Sequence, residues 1–516
     1  MNQAYSWSEV ALVGVIGAGT MGVGIAQIAA AAGHAVLLFD AKEGAAVQAL
    51  QKLEQQFATR VEAGKLATEE ARALLSRIRP VDALSAVSGA AIVIEAIVER
   101  LEVKRALLAR LEEIVSDEAI LASNTSSISI TALGRDLRNP RRLVGMHFFN
   151  PVPVMKLVEV ISGTSTDRAV ANAVAQLATQ WGKTAIFARS TPGFVVNRVA
   201  RPFYAEALML LQEQAATPEQ IDEALRAVGF RMGPCELMDL IGHDVNYSVT
   251  ESMFAANYYD RRYTPSIVQK DLVDGGLLGQ KTGRGFYVYP RSAYSTDEHV
   301  VARPTYEPGC AAAFGSGYSI CRLVSEMEKA GWRVKHSFKQ HTVFPDGDVI
   351  VIGDTFICMT DGRTALELAE ASGKRHVAVL DVVVGGKPGP ICASYASSCG
   401  DSRRAVVRNL LGTLGREVVE VGDTPGLVVG RTVAMLVNEA ADTVAHGVCD
   451  EAGVDTAMRL GTNYPAGPFE WLAQLGVGPV CALLRRLDAH YRGERYRTSH
   501  LLRQKVQEKA MEAFNG

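Results

Sequence analysis

The sequence has little that would take it out of the cytoplasm or onto a polyanion. Its 8 cysteines, at positions 235, 310, 321, 358, 392, 399, 449 and 481, include no C-x-x-C pair. A chain this long fills its cores without disulfides, so they read as scattered reduced thiols, and no metal is expected. A formal net charge of −3 leaves no basic surplus, which argues against a nucleic-acid partner. No Lys or Arg precedes Lys42, so the basic n-region of a secretory signal is missing. Asp, Glu, Lys and Arg are all absent from Val10 to Phe39, a run long enough to pass for a membrane span. Glycines at 14, 17, 19, 22, 24 and 33 punctuate that run, however, and suit a strand and helix joined by turns better than a lipid-facing segment. A cytoplasmic protein with no membrane partner is expected. With 516 residues and 48% hydrophobic content, about three or four domains can form.

What is present centres on LVGVIGAGTMGVGIAQIAAAAGHAVLLFD, residues 12–40. Leu12 to Ile16 reads as a strand buried on both faces. Gly17, Gly19 and Gly22 follow at G-x-G-x-x-G spacing, an Ala-rich helix runs to Ala32, and a second strand ends at Asp40. In a dinucleotide site the first glycine makes the tight turn. The second lets the backbone approach the pyrophosphate, and the third brings helix and strand together. The helix N-terminus receives the phosphate charge. Asp40 would accept the adenosine ribose hydroxyls, which favours NAD over NADP.

Lys42 to Ile78 reads as two exposed helices broken near Gly64. Its cations Lys52, Arg60, Lys65 and Arg72 suit either a solvated face or contacts to the phosphates of a large substrate. Ala90 to Glu95 and Ile120 to Ala122 are further buried strands. In a parallel sheet, residues just past the carboxyl ends of strands face the ligand crevice. Glu95 to Glu99 and the turn SNTSS (123–127) therefore fall beside the nicotinamide half of the cofactor, although Ser123 and Asn124 would equally serve as helix caps.

In LVGMHFFNPVPVMKLVEVI (143–161), two apolar runs flank a Pro-rich turn, and His147 and Glu159 are equidistant from Pro153. Antiparallel pairing would set them opposite each other on one face. A carboxylate on one imidazole nitrogen leaves the other poised as a general base. Residues 193–273 are mostly helical by pattern, with a Thr-Pro-Glu helix start at Thr217.

The motifs GVIGAGTMG, EAIVER, SNTSS, HFFNPVPVMKLVEV, TPGFVVNR and KTGRGFYVY occur in this order over residues 10–290. Together they closely resemble the NAD-dependent L-3-hydroxyacyl-CoA dehydrogenases of fatty-acid β-oxidation. The resemblance implies His147 as general base, Glu159 as its orienting partner, and Ser126 and Asn197 as groups that hydrogen-bond the reacting oxygen and the base. It implies cofactor contacts from Asp40, Glu99, Lys104 and Lys281 beside Gly17, Gly19 and Gly22. It also implies coenzyme A along the helical pair of residues 42–78. The long form is similar to bacterial enzymes of aromatic-acid (phenylacetate) breakdown, whose substrate resembles 3-hydroxyadipyl-CoA; 3-hydroxybutyryl-CoA is the other candidate. Two rivals stand beside this reading: a short β-hydroxyacid dehydrogenase, and a non-enzymatic NAD-binding protein.

The remaining half reads as an α/β region followed by a repeat. TPGLVVGR (424–431) mirrors TPGFVVNR (191–198), with Glu439 matching Glu206, Asp455 matching Asp222 and Gly430 standing where Asn197 should be. The expected fold class is α/β. A Rossmann NAD-binding domain over 8–190 is followed by a helical domain over 191–290. An α/β domain over 305–422 has the look of a degenerate Rossmann copy, and 423–516 is a second, non-catalytic helical copy. That half is expected to lack both a glycine-rich cradle and a counterpart to the His147–Glu159 hairpin. The two helical copies are expected to pair as an internal pseudo-dimer, with a homo-oligomer left open.

Overall fold

The computed structural model describes residues 11–291, 305–385 and 388–515, so the lead-in 1–9 and most of the linker 291–305 lie outside the described residues. The chain folds as two compact units, Met1–Arg198 with His446–Thr462, and Val199–Ala445 with Asn463–Gly516.

The first unit is built on eight strands. They are β1 (Val13–Ile16), β2 (Val36–Phe39), β3 (Ile78–Val81), β4 (Ile92–Glu95), β5 (Ile120–Ser123), β6 (Leu143–Phe148), β7 (Leu157–Ser162) and β8 (Thr184–Arg189). Their order is β3-β2-β1-β4-β5-β6-β7-β8, parallel throughout except where β7 turns back along β6. The chain reverses direction across the sheet at β1, so the turn after β1 sits at the switch point where such sheets bind ligands. Strands covered on both faces read as continuous apolar runs, which is why β1, β4 and β5 were legible. Helix α1 (Thr20–Ala31) buries Ile25, Ala26, Ile28, Ala29 and Ala30. Gly24 lets it lie against the turn after β6, because a Cβ there would stand 2.8 Å from that of Val152. Helices α2 (Ala45–Glu62) and α3 (Thr68–Ser76) bury only five residues between them and leave Lys52, Arg60, Lys65 and Arg72 exposed. Helices α4 (Leu101–Ile114), α5 (Ile130–Leu133), α6 (Arg168–Gln180) and α7 (Val196–Val199) complete the main run of this unit.

The second unit opens with α8 (Arg201–Gln212), α9 (Pro218–Ala227), α10 (Pro234–Ile241), α11 (His243–Ala256) and α12 (Ile267–Asp274). Helix α9 starts with a capping box between Thr217 and Gln220, with Pro218 in the first turn, as Thr-Pro-Glu implies.

A seven-stranded sheet follows. Its strands are β9 (Cys310–Phe314), β10 (Arg333–Ser337), β11 (Val349–Ile352), β12 (Thr355–Met359), β13 (Val377–Leu380), β14 (Ile391–Tyr395) and β15 (Val418–Glu420), in the order β10-β9-β11-β12-β13-β14-β15. Helices α13 (Tyr318–Lys329), α14 (Ala365–Ser372) and α15 (Asp401–Thr413) lie between its strands in the chain. This is the first sheet with parts removed. No strand corresponds to β3 and no helix to α4 among the described residues; instead β11 runs antiparallel and meets β12 through a tight turn at Gly353.

Two expectations for this half are corrected. The first concerns the glycine turn. VIVIGDT forms the β11–β12 hairpin, and the strand in the β1 position is β9, which does lead into a glycine turn, Gly315-Ser316-Gly317, at the start of α13. That turn is filled from within: a Cβ at either glycine would collide with the Asp348 carboxylate, which lies 3.5 Å from the Gly317 N–H. The second concerns the hairpin, which has a counterpart in β13 and β14. Cys392 pairs with Val419 as Glu159 pairs with Ile186, and both partners stand equally far before a Thr-Pro-Gly turn. Asp381, whose N–H bonds to the Cys392 carbonyl, then occupies the place of His147.

Asp381 is buried and accepts four backbone N–H groups, those of Val382, Val428, Val429 and Gly430, at 2.7–2.9 Å. Burial pushes its pKa up to about 6 against the pull of these donors. A Cβ at Gly430 would stand 3.2 Å from an Asp381 oxygen and 3.0 Å from the Thr360 methyl, which accounts for glycine at the position matching Asn197.

The second helical copy comprises α16 (Val429–Ala445), α17 (Glu451–Gly461), α18 (Pro468–Leu475), α19 (Val477–Tyr491) and α20 (His500–Asn515). Helix α16 packs on α8. The contacts between the copies are reciprocal. Glu206 takes Arg495 at 2.9 Å and the Tyr496 hydroxyl at 2.9 Å, while Glu439 takes Arg262 at 3.2 Å and the Tyr263 hydroxyl at 2.6 Å. Each residue matches its counterpart under the same sequence offset, which is the signature of an isologous contact. Helix α17 belongs to the first unit and lies on β7 and β8, where Arg189 donates its N–H to Val448 at 2.9 Å. Its counterpart α9 lies on β14 in the second unit, with Gln220 donating to the Glu420 carbonyl at 2.8 Å.

In Asp381→Asn the amide NH₂ would face two N–H donors in place of an accepting oxygen. We expect a loss of about 3 kcal/mol of stability, read as a lowered urea midpoint, with NAD affinity unchanged.

Candidate active site

The glycine turn meets the demands of a dinucleotide cradle. At Gly17, φ is 105° and a Cβ would stand 2.6 Å from the Ala96 carbonyl; at Gly22 a Cβ would collide with the Gly17 carbonyl. Both positions are closed to any side chain by the protein's own backbone. Around Gly19 no heavy atom lies within 4 Å of a built Cβ, so the open side of the turn is available to a ligand. Gly19 caps α1 without a side chain, so the first-turn N–H groups are presented to an anion. Asp40 at the end of β2 accepts the Ala18 N–H at 2.7 Å and the Lys42 N–H at 2.9 Å. Those bonds aim a carboxylate at the cradle and leave lone pairs for ribose hydroxyls.

Past β4 and β5, two glutamates organise the next turn. Glu95 is buried, takes the Lys104 ammonium at 2.9 Å and accepts the Ser123 hydroxyl. Glu99 accepts the N–H groups of Ser126 at 2.9 Å and Ser127 at 3.1 Å and the Thr125 hydroxyl at 2.6 Å, with Lys104 at 3.3 Å. Burial raises the Glu99 pKa, but these hydrogen bonds and the ammonium outweigh it and hold the group below its ordinary value. Lys104 itself is buried among Glu95, Glu99 and the Ile97 carbonyl, so within the protein it serves to hold Glu99 in place. Asn124, readable as a mere cap, accepts the Phe148 N–H at 2.9 Å and ties this turn to the end of β6.

There the antiparallel register sets His147 opposite Glu159. His147 Nδ1 lies 2.7 Å from Glu159 Oε2, and both residues are buried. Glu159 Oε1 accepts the N–H groups of Val195 and Val196, each at 3.0 Å, so the same carboxylate fixes the start of α7, where Asn197 is the next residue. The ring of His147 rests against Phe149 and Phe194, with centroids 4.6 and 5.9 Å away. The turn that carries these residues is strained, with φ of 74° at Gly193 and 48° at Phe194, and Gly426 and Leu427 repeat it in the second copy. Lys183, which sequence reasoning did not single out, donates to the carbonyls of Val152 at 2.6 Å and Met155 at 2.8 Å and braces the Pro-rich turn. A lysine before a strand carries no signal of that task.

The structure thus groups Glu99 with Ser126, and His147 with Glu159 and the start of α7. It places Lys281 in the other unit, on an exposed turn and ion-paired with Asp244 at 2.5 Å.

A glycine cradle at the switch point of a parallel sheet, beside a strand with an acidic end, defines a dinucleotide-binding site of the kind that takes NAD. Family models match the 3-hydroxyacyl-CoA dehydrogenase NAD-binding domain over residues 12–191 and the C-terminal domain of the same family over 193–289 and again over 426–516. Residues 357–425 match a 3-hydroxybutyryl-CoA dehydrogenase reduced Rossmann-fold domain. The chain is 44% identical to 3-hydroxyadipyl-CoA dehydrogenase of Escherichia coli (strain K12), over 96% of this chain and 98% of that protein. It is 43% identical to a probable 3-hydroxybutyryl-CoA dehydrogenase of Bacillus subtilis (strain 168), over 54% of this chain and 98% of the relative. The crystal structure of 3-hydroxybutyryl-CoA dehydrogenase from E. coli K12 superposes with a TM-score of 0.85 at 41% identity, covering 98% and 99% of the two chains. The protein belongs to the 3-hydroxyacyl-CoA dehydrogenase family, and its cofactor is NAD.

A 2′-phosphate against the Asp40 carboxylate would be repelled, and Ala41 offers no cation to receive it. Titration with NADH and NADPH should show at least a tenfold preference for NADH, about 1.4 kcal/mol. Equal affinity would refute this reading of the β2 end.

Proposed function

We propose that the enzyme oxidises the hydroxyl of an L-3-hydroxyacyl-CoA to the 3-ketoacyl-CoA, with His147 as general base. One observation carries the assignment: His147 Nδ1 lies 2.7 Å from a carboxylate that is itself fixed by two backbone N–H groups. A carboxylate can only accept, so Nδ1 carries the proton and Nε2 is left bare to take the hydroxyl proton. Glu159 stabilises the imidazolium that results. Ser126 and Asn197 hold the reacting oxygen, and Glu99 positions Ser126 through its backbone N–H. When bound, NAD supplies the nicotinamide that accepts the hydride. Gly17, Gly19 and Gly22 seat its pyrophosphate, and Asp40, Glu99, Lys104 and Lys281 serve its binding. Coenzyme A lies along α2 and α3, whose exposed cations suit its phosphates. The name of the relative matched over 96% of this chain favours 3-hydroxyadipyl-CoA as substrate, and with it a role in phenylacetate breakdown in the cytoplasm.

We divide the chain into a Rossmann domain (8–190), a catalytic helical domain (191–290), a reduced α/β domain (305–422) and a non-catalytic helical copy (423–516). The reciprocal Glu206–Arg495 and Glu439–Arg262 pairs support an internal pseudo-dimer. With Asp348 in the second glycine turn and Asp381 and Cys392 in the hairpin positions, one active site per chain follows.

His147→Gln should lower turnover by about 10² to 10⁴ in an assay with acetoacetyl-CoA and NADH while NADH binding persists. Near-wild-type turnover would sink the assignment. Truncation after Tyr289 should uncover the α8 face and remove Arg431 and Arg495, the cations that pair with Glu206. The fragment is therefore expected to dimerise or aggregate in sedimentation. A monomeric, soluble and fully active fragment would remove the pseudo-dimer.

A further inference from the structure

Helix α17 comes from the second helical copy yet packs within the first unit, on β7 and β8. Side chains two apart on a strand share a face, so Leu157 and Glu159 point to the same side of β7. Gly461, the last residue of α17, closes on that side: a Cβ there would stand 2.8 Å from Leu157 Cδ2 and 3.0 Å from a Val196 methyl. Val196 gives its N–H to Glu159 and is followed by Asn197. At the other end of the helix, burial, Asp450 and the charge of Glu159 push the Cys449 thiol up to about 12, so the field of the carboxylate reaches this end as well. The segment leading into α17 is tied to the same unit by Arg198, which donates to His446 Nδ1 at 3.0 Å, and by the Arg189 N–H, which donates to the Val448 carbonyl. The first helical copy supplies an internal comparison. Under the offset that matches Asp455 with Asp222, Gly461 takes the place of Val228, and Val196 that of Val429. Val228 is buried and lines a narrow space with Val429, Cys392 and Asp381, at the hairpin that has no histidine. A valine is accepted there, whereas glycine stands at the hairpin that carries His147 and Glu159.

We propose that α17 is the brace that holds Glu159 and the start of α7 in position for catalysis, and that Gly461 is its positioning residue. The second helical copy supplies no reacting group, but the active site is incomplete without this helix. The inference rests on the proposed function. One carboxylate joins His147 to the Val196 N–H, so a shift of Val196 moves the imidazole and Asn197 together. A side chain at position 461 meets Leu157, which can swing aside, and Val196, whose branched Cβ leaves it little freedom to retreat. The start of α7 must then move, and a displacement of about 1 Å at a reacting group can cost about 10²-fold in rate.

The test measures kcat with acetoacetyl-CoA and NADH, together with NADH affinity, in the full-length enzyme. It compares wild type with Gly461→Ala, Gly461→Val and the double variant Gly461→Val with Val196→Ala. Gly461→Val should lower kcat by about 10- to 10²-fold, and Gly461→Ala by about threefold, while the NADH dissociation constant stays within about twofold of wild type. Adding Val196→Ala to Gly461→Val returns the space and should recover most of the lost kcat, a coupling that a merely structural role does not produce. Full turnover in a folded Gly461→Val enzyme would overturn the proposal. So would a parallel loss of NADH affinity, or a loss of kcat that Val196→Ala leaves untouched. Should Gly461→Val fail to fold, Gly461→Ala decides, and full turnover there would overturn the proposal equally. His147→Gln in the same assay separates this inference from the reading beneath it. Full turnover of that variant removes the proposed function, whereas its loss beside an unaffected Gly461→Val removes only the brace.

Discussion

The carboxylate of Glu159 joins three parts of the chain that are far apart in sequence. One oxygen holds the ring of His147 across the β6–β7 pair, and the other holds the Val195 and Val196 N–H groups at the start of α7. Strand pairing alone would set His147 opposite Glu159, but it would not choose a tautomer or fix the helix that carries Asn197. Burial strengthens all of these bonds, because water does not compete for the carboxylate. The strained Gly193–Phe194 turn brings the two N–H groups to one oxygen, so the strain is held in place by the contact it makes possible.

The second half shows what remains when that requirement is lifted. The sheet keeps its order around the hairpin and the carboxylate still gathers the N–H groups of a Thr-Pro-Gly helix start, but it now comes from Asp381, in the position of the histidine. The residue opposite it is Cys392, whose thiol is pushed up by burial and by the Asp381 charge. The arrangement serves as a pin for α16. The glycine turn before α13 survives in the same sense, closed by Asp348. The helical copies have kept most: exchanged helices α9 and α17 and reciprocal ion pairs at Glu206 and Glu439 hold a dimer-like core within one chain.

Much of this was legible in the sequence where local rules dominate. The glycine spacing, the acidic end of β2, the period-2 hairpin about Pro153 and the Thr217 helix start each depend on a few neighbouring residues, and each appears in the structure where those residues stand. The legible set stopped where the partner is distant. Nothing in VIVIGDT reveals that β11 is reversed, because an apolar run does not encode its direction. Asn124 looked like a cap because its acceptor role depends on Phe148, and the buried Glu95–Lys104 pair was hidden in an ordinary strand-to-helix junction. The Asp381–Cys392 positions needed the register of β14 against β15, which only the folded sheet supplies.

The account turns on the protonation of one imidazole ring. In the resting enzyme, ¹⁵N chemical shifts of His147 should show a protonated Nδ1 and a bare Nε2. In Glu159→Gln the amide oxygen would keep the two backbone N–H groups and the amide NH₂ would donate to Nδ1, so the proton should move to Nε2 and turnover should fall with it. A wild-type ring protonated at Nε2, or a Gln variant with the wild-type tautomer and full turnover, would contradict the account.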